Sequence, residues 1–193
     1  MSRRKRPGLA KPLVRLGAAA ALGYLSRERF ADADKKAFNQ IRARRSETLD
    51  RVLPVATDLG SVYAVAGVAA SLALLGRGRL AVRAAGAALT AWTVAQGAKK
   101  VFGRTRPYDD DAVDVLVRRP AGTSYPSGHP AVAAALARVL APEAGKAIKP
   151  LIERLPAFVG ASRIYVGVHY PSDVLGGRLV GDAVADVWRR YLP

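Results

Sequence analysis

The sequence predicts an all-α protein: an integral membrane helical bundle of about five to six helices, led by a basic amphipathic N-terminal region. Three observations carry that expectation. Half of the 193 residues are hydrophobic. Two long runs, Leu59 to Gly76 and Ala84 to Ala98, contain no charged residue. No stretch shows the apolar–polar alternation of a half-buried strand.

Length and charge narrow the function classes. The chain has material for one core or a small bundle, and too little for a catalytic domain plus a sizeable second one. A formal charge of +16 and a pI near 10.9 call for an anionic partner: nucleic acid, phospholipid or a phosphorylated small molecule. With no cysteine, a disulfide scaffold, a thiolate zinc site and a cysteine nucleophile are excluded. Two histidines leave few candidates for imidazole chemistry, and 7% aromatic residues is low for a platform that stacks single-stranded nucleic acid.

Taken in chain order, residues 1–51 form a basic N-terminal segment with fourteen Lys/Arg against five Asp/Glu, and residues 52–193 form the helical domain. Ser2-Arg3-Arg4-Lys5-Arg6 before the apolar Leu16 to Leu25 resembles the start of a signal peptide. Ser26-Arg27-Glu28-Arg29 follows at once with no small-x-small cleavage site, so an interfacial anchor or a short first span fits better. Next, Leu59 to Gly76 approaches the roughly 20 apolar residues a span needs, and Ala84 to Ala98 reaches it by borrowing Leu80 to Arg83. Arg77 and Arg79 lie between them, which reads as a helical hairpin with a basic turn. The later apolar stretches, His129 to Ala141, Leu151 to Val168 and Val174 to Leu192, carry charges that must face the bundle interior or the interfaces. A soluble all-α protein burying Ala-rich faces is the plainer alternative.

Three clusters carry the chemistry. In the first, Lys99-Lys100-Val-Phe-Gly-Arg104-Thr-Arg106-Pro107, a helix continuing past Ala98 puts Lys99 and Arg106 two turns apart on one face. Pro107 then turns the chain out of helix and leaves the guanidinium at a helix end. In the second, Ser127 caps a helix whose first turn holds Gly128, His129 and Pro130. The N–H groups of Ser127, Gly128 and His129 form an anion cradle there. In the third, His169 and Asp173 are four residues apart with Pro171 starting a helix, so the carboxylate reaches back to the imidazole. Arg163, six residues before His169, adds a fork suited to phosphate oxygens. Taken singly, these read equally as an interfacial basic anchor, an ordinary capped helix and a helix-capping aspartate.

Their combination and order resemble the three signature motifs of the type 2 phosphatidic acid phosphatase superfamily, which includes lipid phosphatases and vanadium haloperoxidases. Lys-(six residues)-Arg-Pro is met by Lys99, Arg106 and Pro107; Pro-Ser-Gly-His by Pro126 to His129; Ser-Arg-(five residues)-His-(three residues)-Asp by Ser162, Arg163, His169 and Asp173. The resemblance covers about Asp50 to Asp182. Pro130 departs from the small or polar residue usual in the family, and the long basic N-terminus is also atypical.

The resemblance implies a bacterial membrane phosphatase acting on a phosphomonoester or diphosphate of a lipid, of polyprenyl phosphate or phosphatidic acid type. It implies that His169 attacks phosphorus to give a phosphohistidine, with Asp173 holding its ring. His129 serves the leaving oxygen and then water. Lys99, Arg106, Arg163, Ser127 and Gly128 bind the phosphoryl oxygens. The cationic cage stands in for a metal, so no cofactor is expected. The expected partners are the lipid phosphate substrate and the bilayer, with no nucleic acid and with homo-oligomerisation left open. The expected location is the cell membrane, multi-pass, with the site towards the extracytoplasmic side.

Two competing signals remain. Asp110-Asp111-Ala-Val-Asp114 has the form that holds Mg²⁺-diphosphate in prenyl-transferring enzymes, but no second acidic cluster follows. It reads as an acidic loop balancing Arg118 and Arg119. The nucleophile elbow Gly-x-Ser-x-Gly is absent. The rival from another class is a non-catalytic basic protein of membrane surfaces or nucleic acid, which explains the charge but not the placement of both histidines.

Overall fold

Serine caps, glycine stops and a proline-marked start cut the chain into more helices than the apolar runs suggested. The computed structural model describes residues 8–110 and 113–191. Among them lie nine α-helices, not five to six. The basic N-terminal region alone holds three: α1 (Ala10–Glu28), α2 (Ala31–Arg42) and α3 (Glu47–Ala56). Ser46 caps α3, its Oγ accepting from the Leu49 N–H at 3.4 Å. After a 3-10 turn (Thr57–Gly60) come α4 (Val62–Leu74), α5 (Gly78–Phe102) and the single turn α6 (Pro107–Asp110). Then follow α7 (Gly128–Leu140), a 3-10 turn (Ala141–Glu143), α8 (Lys149–Tyr165) and α9 (Pro171–Tyr191). The basic run Ser2 to Arg6 lies outside the described residues.

The helical hairpin forms as α4 and α5, but not with the expected lengths. Ser61 caps α4 by accepting from the Ala64 N–H at 3.2 Å, so Leu59 and Gly60 fall in the preceding turn. Thirteen residues rise only about 20 Å, short of a bilayer core of about 30 Å. No single helix among the described residues is long and apolar enough to cross a membrane. Residues Glu47–Gly60 and Val62–Leu74, bent by 63°, meet that test together. α4 nonetheless buries only Val65, and exposes Tyr63, Leu74 and Leu75. Val82, Val101, Leu151 and the α1 pair Leu13 and Val14 also face outward.

α7 is the central post. It packs on α9, α5 and α8, and every residue from Pro130 to Ala137 is buried. Five of these are alanines, so helix axes approach closely. The core combines Ala131, Val132, Ala135, Leu136 and Val139 of α7 with Ala84, Ala87, Ala88, Ala91 and Ala95 of α5 and with Val180, Val184 and Ala185 of α9. The closest approach lies at the start of α9. A methyl on Gly177 would run into the Ser127 carbonyl, and one on Gly176 into the Tyr125 side chain. That contact brings the second and third sequence clusters together.

Of the charges on the later helices, Arg163, Asp173 and Asp186 are buried inside the bundle, whereas Glu153, Arg154 and Arg178 are exposed. Asp186 of α9 is 3% exposed, accepts from Arg138 Nε of α7 at 2.8 Å and pairs with Arg15 of α1. α1 lies along α9, and α2 packs on α8 and α9.

Candidate active site

The first cluster reaches the site by a loop, not by a continued helix. α5 stops at Phe102 because Gly103 adopts a left-handed conformation (φ 57°), and its N–H closes on the Lys99 carbonyl. Lys99 is therefore in the last turn, while Arg104 to Arg106 run in the loop before α6. The two cations converge across that break rather than along one helix face. Lys99 Nζ donates to the Thr123 carbonyl at 2.9 Å, and Thr123 Oγ1 donates back to the Lys99 carbonyl at 2.9 Å. Arg106 is 1% exposed: Nε donates to the Gly122 carbonyl at 2.8 Å and Nη1 to the Val168 carbonyl at 3.0 Å. The same Nη1 lies 3.4 Å from His169 Nε2.

Ser127 is the residue before α7, with extended backbone (ψ 125°), and Pro130 sits in the first turn. The expected cradle is altered in one respect: the Ser127 N–H is already used, donating to the Asp173 carbonyl at 2.9 Å. The Ser127 side chain makes no capping bond, and its buried Oγ has no partner among the described residues. The amides of Gly128 and His129 belong to the first turn and have no acceptor within the helix. A methyl on Gly128 meets Trp92 at 3.4 Å, ordinary contact, so no protein neighbour demands glycine there. His129 is partly exposed, with Nε2 3.9 Å from Asp58 Oδ1.

The third cluster closes the site. Arg163 of α8 is 4% exposed; Nη1 reaches Thr57 Oγ1 at 3.4 Å, and its buried Nε has no partner among the described residues. His169 follows Gly167 (φ 89°) in the loop before α9 and is 2% exposed. Burial, then the positive charges of Arg106, Arg163, Lys99 and His129, hold its imidazole well below the ordinary histidine pKa, so it is neutral. Asp173 Oδ2 lies 3.5 Å from His169 Nδ1, longer than a good hydrogen bond. Ser124 connects the two, with Oγ donating to Asp173 Oδ2 at 2.5 Å and lying 3.3 Å from His169 Nδ1.

Asp173 is held from behind by residues that were not singled out from the sequence. Arg104 donates through Nη1 to Asp173 Oδ1 at 2.9 Å and through Nη2 to Asp34 Oδ2 at 2.7 Å. Its guanidinium also stacks over Tyr170, 4.5 Å from the ring centre. Asp34, 6% exposed on α2, accepts from the Ser172 N–H at 3.0 Å as well as from the Ser172 hydroxyl. Arg104 is two residues before Arg106, a signal present in the sequence; Asp34 is one acid in a basic stretch with nothing to mark it.

Among the described residues of the acidic loop, the bonds of Asp110 and Asp114 go to partners other than Arg118 and Arg119. Asp114 pairs with Arg45 at 2.9 Å, and Asp110 accepts from the Tyr170 hydroxyl at 3.0 Å; Asp111 lies outside the described residues. Arg119 instead stacks over Tyr108.

What these groups can do follows from their partners. Lys99, Arg106 and Arg163 make no ion pair within 4 Å among the described residues; carbonyl and hydroxyl oxygens hold them. A neutral imidazole nitrogen thus faces concentrated positive charge, an arrangement that suits nucleophilic attack on an anion.

Comparison with known proteins shows the family and the fold. The PAP2 superfamily model matches residues 80–193. The decaprenylphosphoryl-5-phosphoribose phosphatase of Mycobacterium tuberculosis is 35% identical over 117 residues, 61% of this chain and 64% of that protein. This chain thus spans just under two thirds of that relative's length. The undecaprenyl-diphosphatase of Sulfolobus acidocaldarius is 28% identical over 152 residues, 77% of this chain and 73% of that protein. Among solved structures, the transmembrane PAP2-type phosphatidylglycerolphosphate phosphatase from Bacillus subtilis superposes with a TM-score of 0.79 at 22% identity, covering 92% of this chain and 94% of its own. Aquifex aeolicus LpxE gives a TM-score of 0.74 at 27% identity, covering 81% and 94%.

Proposed function

This chain belongs to the PAP2 superfamily, and from that premise we propose that it is a lipid phosphate phosphatase. It hydrolyses a phosphomonoester or diphosphate of a membrane lipid, of polyprenyl type as in the relatives' names, through a phosphohistidine and without a metal. One observation carries the reading: three buried or half-buried cations surround a neutral His169, and none is matched by a carboxylate among the described residues.

The steps balance as follows. His169 Nε2 attacks phosphorus in line, and the bond to the leaving oxygen breaks as His129, in its protonated form, gives that oxygen a proton. Water then attacks the phosphohistidine while His129 takes a proton from it, releasing phosphate and restoring both imidazoles. Burial and the positive charges of Arg163, Lys99 and Arg106 push the His129 imidazole down to about 3, so the imidazolium that the first step needs depends on the negative charge of the bound substrate, with Asp58 3.9 Å from Nε2. Lys99, Arg106, Arg163, Ser127 Oγ and the Gly128 amide take the phosphoryl oxygens and stabilise the charge of the transition state. Asp173, with Ser124, fixes the face of His169 that attacks.

The outward apolar side chains of α1, α4, α5 and α8 support placement in the cell membrane, the tail of the substrate staying in the bilayer. The site then faces the extracytoplasmic side. The chain has no cysteine, so Thr105→Cys in the exposed loop gives a unique probe of sidedness. Labelling of intact cells by an impermeant maleimide is expected; labelling only after lysis reverses the topology.

The test of function is phosphate release by the purified chain from lipid phosphates in detergent. Activity should persist in EDTA, be inhibited by vanadate, vanish in His169→Ala and fall steeply in His129→Ala, which lacks the group that serves both steps. Release that needs added Mg²⁺, or that survives His169→Ala, overturns the mechanism.

A further inference from the structure

The cavity that reaches the reacting groups extends beyond them. It has a volume of about 700 Å³, within the range that holds a sizeable organic ligand. His129 and Arg163 line one part, with Asp58 the one described carboxylate; Arg118 and Arg119 line another, over the apolar side chains of Val55 and Leu116. A single phosphoryl group held by Lys99, Arg106 and Arg163 leaves these two guanidinium groups with nothing to bind.

Both side chains are exposed, but the backbone that carries them is not loose. The segment carrying them is tied down at three points. Leu116 N–H donates to the Val166 carbonyl at 3.1 Å, Tyr108 OH to the Pro120 carbonyl at 2.8 Å, and Arg106 Nε to the Gly122 carbonyl at 2.8 Å. Leu116 and Val117 pack on Tyr165, Val166 and Val168. Arg119 lies over the Tyr108 ring, 5.2 Å from its centre, and Tyr108 follows Arg106-Pro107 directly. The loop is therefore built onto the same segments that carry Arg106 and His169. Its arginines line the cavity that His129 and Arg163 also line, and a guanidinium fork there matches a phosphoryl group in two bonds.

We infer that Arg118 and Arg119 form a second phosphate subsite, and that the substrate is a lipid bearing two phosphoryl groups. The outer phosphoryl is removed at His169, and the retained one is bound by this arginine pair. The inference rests on the proposed phosphatase reading and narrows it. A lipid diphosphate and a lipid-linked phosphosugar phosphate share this chemistry, differing in the span between their two phosphorus atoms.

The test is a competition assay with the full chain in detergent. Farnesyl monophosphate is mixed with farnesyl diphosphate in one arm and with a prenyl-phosphoryl-ribose 5-phosphate in the other. Each arm reads the ratio of kcat/KM for the two substrates, which does not depend on the fraction of active protein. Wild type should prefer the two-phosphate substrate, and the Arg118→Ala/Arg119→Ala double variant should lower that preference about tenfold, the loss of one good charged contact. Arg118→Lys/Arg119→Lys should restore part of it. The arm with the larger drop identifies which spacing the subsite fits. Ratios that stay constant in both arms overturn the subsite, the arginines then being interfacial anchors. Wild type that releases phosphate from none of the three overturns the phosphatase reading instead.

Discussion

About 20 Å along α9 from Asp173, Asp186 lies between Arg138 and Arg15, while at the start of the same helix Lys99, Arg106 and Arg163 gather around His169. The same residue types serve both places. In the Asp186 cluster each guanidinium meets the carboxylate, so the charge is answered within the protein. Around His169 the one buried carboxylate, Asp173, is taken by Arg104 and Ser124, and the three cations are left to carbonyl and hydroxyl oxygens. A paired cluster holds helices together; an unmatched one is unfavourable until an anion arrives, and so binds it. Ser127 Oγ and Arg163 Nε, buried without partners among the described residues, lie in the unmatched cluster.

The contrast can be broken most severely at its centre. His169→Ala should lower phosphate release about 10⁴-fold or more, read by initial rates, with a thermal midpoint close to wild type. A smaller loss than about tenfold would separate the cage from the chemistry. Next, Arg104→Leu strips the cation from two buried carboxylates, Asp34 and Asp173, and should destabilise the fold by about 3–5 kcal/mol in denaturant unfolding. Arg163→Gln should do the reverse: kcat/KM falls about 10²–10³-fold while stability changes by less than about 1 kcal/mol, because only a 3.4 Å bond to Thr57 is lost. Equal stability losses in these two variants would erase the distinction.

Asp186→Asn tests the paired cluster. It should cost about 2–3 kcal/mol of stability, discounted because Arg15 and Arg138 are partly exposed, and leave turnover by the folded protein within about twofold. The smallest effect is on pH. The cage cations hold His169 neutral, so Lys99→Gln removes one of the charges that oppose its protonation, and its pKa rises. Attack needs the neutral form, so the acid limb of kcat/KM should move to higher pH. A limb that stays in place or moves down would remove Lys99 from the field at His169.

Much of the site was legible because its recognition signals are local. Pro-Ser-Gly-His and the spacing of Arg163, His169 and Asp173 are read from neighbouring residues and from helix starts at Gly128 and Pro171, which the structure reproduces. What was missed depends on contacts between distant segments. Asp34 and Arg104 are 70 residues apart, and Ser124 and Asp173 are 49 apart. Nothing in a basic stretch distinguishes the acid that will be buried. The helix count failed for a different reason. Hydropathy sees Leu59 to Gly76 as one run, whereas the Ser61 cap divides it, and the left-handed Gly103 ends α5 before Arg106.

The sequence by itself determined the chemical inventory: helices throughout, two imidazoles, a carboxylate four residues from His169, and an excess of cations near both. Tertiary structure alone decided which cations would be neutralised and which left for substrate. Charge composition counts groups but says nothing of distance, and only the close contact of α9 with the residues before α7, open because Gly176 and Gly177 lack side chains, brings Asp173 to Ser124 and leaves Ser127 Oγ without a partner among the described residues.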